Sequence, residues 1–119
     1  MSIYTKKILS GSTDGKGVKV VATATPGTTI HTGPTNTTTL QEIWLWAQNN
    51  HTADVILTVE FGDATAPDHN IITSVSSKAG LSLICPGLII QGNATALTIK
   101  AFAATTNVIS IIGFVNEIA

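Results

Sequence analysis

Between Leu40 and Gly62 the chain reads LQEIWLWAQNNHTADVILTVEFG, and no other stretch restricts the possible folds as tightly. Val55, Leu57, Val59 and Phe61 occupy every second position, with Asp54, Thr58 and Glu60 between them and only Ile56 out of pattern. A period of two marks a strand with one face in a core. In the preceding arm Ile43, Leu45 and Ala47 alternate with Trp44 and Trp46, so both faces are apolar. Such a strand is central in a sandwich with a covered outer side, or it lies at a subunit contact. Asn49 and Asn50 tolerate left-handed backbone, and the segment Asn49–Thr52 reads as a turn. The expectation is a β-hairpin at the centre of an all-β domain.

The remaining chain fits that class. Val18–Thr25 alternates as a strand and Pro26-Gly27 turns it. Thr28–Thr32 is a short strand, and GPTNTTT is polar and long enough to cross between sheets. Strands follow at Ile71–Ser76, at Leu81–Cys85 (stopped by Pro86-Gly87 and resumed over Leu88–Ile90), at Ala96–Ala103 and at Val108–Ile118. No window sustains helical spacing without Gly, Pro or a β-branched run. About eight strands with frequent turn signals predict an antiparallel β-sandwich or jelly roll. Residues 1–17, with Lys6, Lys7, Ile8 and Leu9, read as an N-terminal arm or edge strand able to lie on a neighbouring subunit, and residues 18–119 as the single sandwich domain.

Charged residues make up 11% of the chain, less than half the share of an ordinary soluble domain. Threonine and isoleucine take their place, and both suit pleated sheets. So few charges suit either a monomer surfaced with Thr, Ser and Asn or an outer surface covered by neighbouring subunits, because interface cores are depleted in charge, and the second reading is favoured. The net charge is −1, there is no arginine, and the six lysines are scattered, which argues against nucleic-acid binding. Cys85 is the single cysteine, so an intrachain disulfide and a cysteine metal cluster are excluded. Its apolar setting predicts a buried, inert thiol. No stretch has the length of a membrane span, and MSIYTKKILSGS has no apolar core of a secretion signal. The expectation is assembly in a host cytoplasm, with no membrane partner.

Candidate chemistry is sparse. His31, His51 and His69 show no His-x-His pair, and the aspartates Asp14, Asp63 and Asp68 form no Asp-x-Asp-x-Asp-Gly loop, so no metal is expected. The histidines read as loop residues. Serines, histidines and acids are present without a nucleophile elbow. A glycosidase-like carboxylate pair would have to come from Glu42, Glu60 and Glu117, with Glu42 and Glu60 placed across the hairpin. The polar partners for such work are missing, so no enzyme activity and no cofactor are expected. Trp44 and Trp46, two residues apart on one strand face, suit either a sugar-stacking platform in a carbohydrate-binding or fibre module, or an anchor in a core or interface. The anchor is favoured. The candidate interface is Trp44 and Trp46 with Lys6, Lys7, Ile8 and Leu9 of the arm. Sequons at Asn36, Asn50 and Asn93 are expected by chance in a threonine-rich chain.

The segments ILSGSTDGKGVKVVATATPGTTIHT, EIWLWAQN, LTVEFG, the PGL after Cys85, and KAFAATTNVISIIGFVNEI resemble small virion-associated proteins of tailed bacteriophages. The likeness is one of strand and turn pattern and covers nearly the whole chain. It implies a structural role: a head decoration, or cement, protein, built as a β-sandwich or jelly roll. It further implies a homotrimer that sits on the capsid surface of the virion and contacts the major capsid protein. It brings no catalytic or ligand-binding residues.

Overall fold

The computed structural model describes residues 3–119, so the first two residues of the expected arm lie outside the described residues. The strands in chain order are β1 (Tyr4–Ile8), β2 (Val18–Lys19), β3 (Thr28–Thr32), β4 (Leu40–Asn49), β5 (Val55–Gly62), β6 (Asn70–Val75), β7 (Ser82–Gln91), β8 (Thr98–Ala103) and β9 (Ile109–Ile118). They form two antiparallel sheets. The first has the order β1-β9-β4-β7, with β2 also on β9, and the second has the order β3-β8-β5-β6.

This is the jelly-roll order, with its first strand position split between β1 and β2 along the same edge of β9. The inward rows of both sheets fill one core, which includes Ile43, Leu45 and Ala47 from β4, Val55, Leu57 and Val59 from β5, and Ile109, Ile111 and Val115 from β9. The fold class is therefore the expected β-sandwich.

Three local expectations are corrected. Leu40–Gly62 is not a hairpin: β4 pairs with β7 and β9, whereas β5 pairs with β6 and β8 in the opposite sheet. The two apolar rows face each other across the core instead of lying side by side, and the chain between them is an arch. Asn49 closes it. Its buried side chain donates from Nδ2 to the carbonyls of Ala53 (3.0 Å) and Val75 (2.8 Å), while Oδ1 accepts the His51 amide at 2.8 Å. Because Val75 belongs to β6, the same side chain ties the two sheets together.

Second, Pro86-Gly87 does not stop a strand. β7 is an edge strand, where a proline leaves no ladder bond unmade, and the register slips by one residue between Ile43 and Trp44 to absorb Gly87. Gly87 has φ +81°, and a Cβ there would come 3.0 Å from the Trp44 ring. Third, the strand expected over Val18–Thr25 keeps only two ladder residues, because after Val20, whose amide still donates to Ile109 of β9 at 2.8 Å, the chain crosses to the second sheet, where the Ala22 carbonyl accepts the Ala103 amide at 3.1 Å.

The arm expected at the N-terminus is an edge strand along β9 over its described part. Every residue of β1 is exposed, and the ladder is extended by paired bonds between Ile3 and Ala119. Leu9, just beyond it, is 1% exposed and plugs the core.

Candidate functional site

The outer face of the first sheet collects most of what the sequence singled out. Side chains directly opposite in adjacent strands point to the same face, so the register fixes the layout as rows. Tyr4, Ile118 and Leu40 form one row; Lys6, Asn116, Glu42 and Ile89 the next; Ile8, Phe114, Trp44 and Pro86 the third; Ile112, Trp46 and Leu83 the fourth. Apart from Lys6 and Glu42, no side chain in these four rows carries a formal charge; Lys19, in register with Ser110 and Gln48, stands in the row beyond. Tyr4, Ile8, Leu83 and Ile89 are each about half exposed or more, which is unusual for large apolar side chains grouped on one face.

At the centre, Trp44, Trp46 and Phe114 form one cluster. Their ring centroids are 6.0–6.1 Å apart in all three pairs, and their planes lie within 27° of parallel. Such offset contacts fix the rings and leave a firm, polarisable surface. Lys6 Nζ sits 4.9 Å above the Phe114 ring, a cation–π contact that holds the β1 edge against the cluster. Glu42 accepts the Trp44 indole N–H at 2.5 Å and the Asn116 amide at 3.2 Å through the same oxygen. Those two bonds, the indole first, hold its carboxyl below the usual carboxylate range. Sequence reasoning found the tryptophans but missed Phe114 and Ile112. The signal was present, since β9, like β4, is apolar on both alternating faces.

The arm residues separate. Ile8 and Lys6 belong to this face. Leu9 does not, because its side chain is in the core. Lys7 points to the other side of β1 and pairs with Glu117 at 2.9 Å.

That pair ends a polar chain running into the sandwich. Glu117 accepts the Gln41 amide at 3.0 Å, and Gln41 Oε1 lies 2.6 Å from His31 Nε2. His31 Nδ1 accepts the Ser10 amide at 3.0 Å, so neutral His31 carries its proton on Nε2 and donates it to Gln41. His31 is thus not the loop histidine expected. The bulge between Thr29 and His31 turns both Ile30 and His31 inward, and burial pushes the imidazole pKa down. The Lys7 ammonium, then the Gln41 amide, hold Glu117 below the usual carboxylate range.

The other two histidines are on loops, as expected. His51 lies in the arch. His69 pairs with Asp63 beside an open cleft of about 270 Å³ lined by Phe61, Gly62, Ile89, Ile90, Gln91 and Leu97. The His69 ring, then the Thr65 amide, lower Asp63 to about 2, while Asp63 raises His69. This exposed pair has no hydroxyl or thiol nucleophile in its lining. Glu42 and Glu60 do not meet: they lie on the outer sides of opposite sheets. The nearly fully buried Glu60 accepts the Thr25 hydroxyl at 2.5 Å and the Gly27 amide at 2.7 Å, which makes it a lock on the β2–β3 crossing. Among the described residues no three His, Cys, Asp or Glu side chains converge to hold a metal ion. Cys85 is buried, and desolvation pushes its thiol up to about 12. No helix is long and apolar enough to cross a membrane among the described residues.

Chemically, the centre of the sheet face offers mainly apolar contact. A sugar platform needs polar groups around its rings to meet the hydroxyls; Ile8, Ile112, Leu83 and Pro86 flank the cluster within its own rows, while Lys6, Asn116 and Glu42 stand in the row on one side and Lys19, Ser110 and Gln48 in the row on the other. One carboxylate oxygen of Glu42 is already taken by Trp44 and Asn116. No protein-family model, curated protein or solved structure matches the chain.

Proposed function

We propose that this chain is a structural protein of a tailed-phage virion: a decoration, or cement, protein that binds the assembled head as a homo-oligomer and performs no catalysis. The observation that carries the reading is the outer face of the first sheet, where the Trp44–Trp46–Phe114 cluster is ringed by half-exposed Ile8, Leu83 and Ile89. A face of this kind stays soluble only if something covers it. The low charge content of the whole chain supports the same reading, and so does the resemblance described above.

The mechanism is mass action. A rigid sandwich whose contact surface exists before binding loses little conformational entropy on docking. Because it binds the finished shell and not its free subunits, it shifts the assembly equilibrium toward the shell by RT ln(1 + [L]/Kd), about 2.7 kcal/mol per site at a hundredfold excess over Kd. The partner in this reading is the major capsid protein, and the location is the outer surface of the head.

The test is co-sedimentation of purified protein with mature heads of the phage that encodes it, stripped of the endogenous copy. Saturable binding at a fixed ratio to the major capsid protein, with heads made more resistant to heat, is the expected result. Absence of binding at micromolar protein, with binding to tail fibres or to glycans instead, would replace this reading with the fibre-module one.

A further inference from the structure

The row layout of the first sheet holds a self-complementary pattern. β9 is flanked by β1 on one side and β4 on the other. Through β9, Tyr4 is in register with Leu40, Lys6 with Glu42, and Ile8 with Trp44. A two-fold axis laid along β9, in the plane of contact, turns one copy's β1 onto the other's β4. Each of those three pairs then becomes a contact between copies. We infer that this face pairs with the same face of a second copy of this chain, with Lys6 of each copy meeting Glu42 of the other.

Charge supports that occupant. Lys6 and Glu42 are the only ionised side chains in the rows, they are opposite in sign, and they stand in the same row. Within one chain they are two strands apart, roughly 10 Å at ordinary strand spacing, so they do not satisfy one another. Covering the face with any apolar surface leaves Lys6 with only the Phe114 ring and Glu42 with only two neutral donors, so each charge is desolvated without a counter-charge, which is costly. The two-fold arrangement pairs both at once, because an isologous contact makes every interaction twice. Sheets packed face to face cross at about 30°, which at one strand's distance from the axis displaces the pair by only about 2 Å, within the reach of a lysine.

Area supports it as well. Tyr4, Ile8 and Leu40 are 73%, 51% and 36% exposed. The open parts of Trp44, Trp46 and Phe114 lie between them, so apolar surface remains to be buried along the whole length of the paired rows. The pairing gives two copies, not the three that the resemblance implies. It rests on the homo-oligomer part of the function proposed above, and it gives this face to the second copy and leaves the shell contact to another part of the surface.

Sedimentation velocity of the full chain from about 1 to 100 μM tests the pairing, together with K6E, E42K and the double exchange K6E/E42K. Each single change sets like charges against each other across the axis, twice per dimer. The expected result is a particle of two 12.3 kDa chains. Each single variant should raise the dissociation constant at least tenfold, and the double exchange should recover most of that loss. Far-UV circular dichroism and the thermal midpoint of each variant at its lowest concentration separate dissociation from misfolding. A monomer throughout, a three-chain particle, or a double exchange no tighter than the weaker single variant overturns the pairing. Parallel head-binding runs keep the two readings apart: monomers that bind heads overturn the pairing alone, whereas dimers that ignore heads support it and overturn only the virion reading.

Discussion

Replacing Asn49 with alanine tests the arch on which the jelly roll depends. Asn49 is wholly buried at the inward end of β4, and its side chain makes three hydrogen bonds: to the carbonyls of Ala53 and Val75 and from the amide of His51. The bond to Val75 is fully buried, so its loss leaves a desolvated carbonyl without a donor, at a cost of about 1–3 kcal/mol. The other two are partly reached by water and contribute about 0.5–1 kcal/mol each. Asn49→Ala should therefore lose roughly 2–5 kcal/mol, a large part of the stability of a domain this size. In urea this appears as a midpoint lowered by about 1–3 M with the slope unchanged, measured at one fixed protein concentration so that association does not contribute. Asn49→Asp should be at least as damaging, because a carboxylate would face two carbonyl oxygens. Had this segment been a hairpin turn, the side chain would be solvated and either change would cost about 0.5 kcal/mol or less. A loss that small would refute the arch.

Two further outcomes follow from titratable groups. His31 has a folded-state pKa below its ordinary value of 6.5 because it is buried, so the unfolded chain takes up its proton more readily. Its contribution to stability is complete above pH 6.5 and is lost as pH falls from there toward the folded pKa. Protonation also removes the acceptor for the Ser10 amide, while Lys7 and Glu117 are the charged groups near the ring. His69 acts in the opposite sense: its pKa is raised by Asp63, so its contribution is present below 6.5 and fades as pH rises through the folded value. Urea midpoints from pH 7.5 to 5 in a His69→Ala background should fall with pH, and a flat profile would contradict the burial of His31 as a neutral imidazole. Cys85, buried and with its thiol pushed up to about 12, should resist a disulfide reagent at pH 8 until urea unfolds the chain. Labelling of the native protein within seconds would contradict its place in the core.

The strands were legible in the sequence because alternation reports burial directly, and β4, β5 and β9 carry it over eight residues or more. Their connectivity was not, because the same alternation suits a hairpin and an arch. The distinguishing sign lay in parity. Asn49 occupies the same inward set as Ile43, Leu45 and Ala47, which a solvated hairpin turn would not require. β7 ran through Pro86-Gly87 for a tertiary reason, its edge position, which no local signal contains. For the site, two tryptophans on one face of β4 marked the surface, but its extent depended on β1 and β7 lying in the same sheet. His31 escaped notice because a one-residue bulge reverses the side of the strand on which it falls.

The central claim is that this jelly roll is a structural component of a phage head. A cryo-EM map of the intact virion tests it most directly. The account predicts density for the sandwich on the outer surface of the shell, in contact with the major capsid protein and present at a fixed ratio to it. Density for the chain confined to tail or fibre, or a virion that lacks it altogether, would contradict the account.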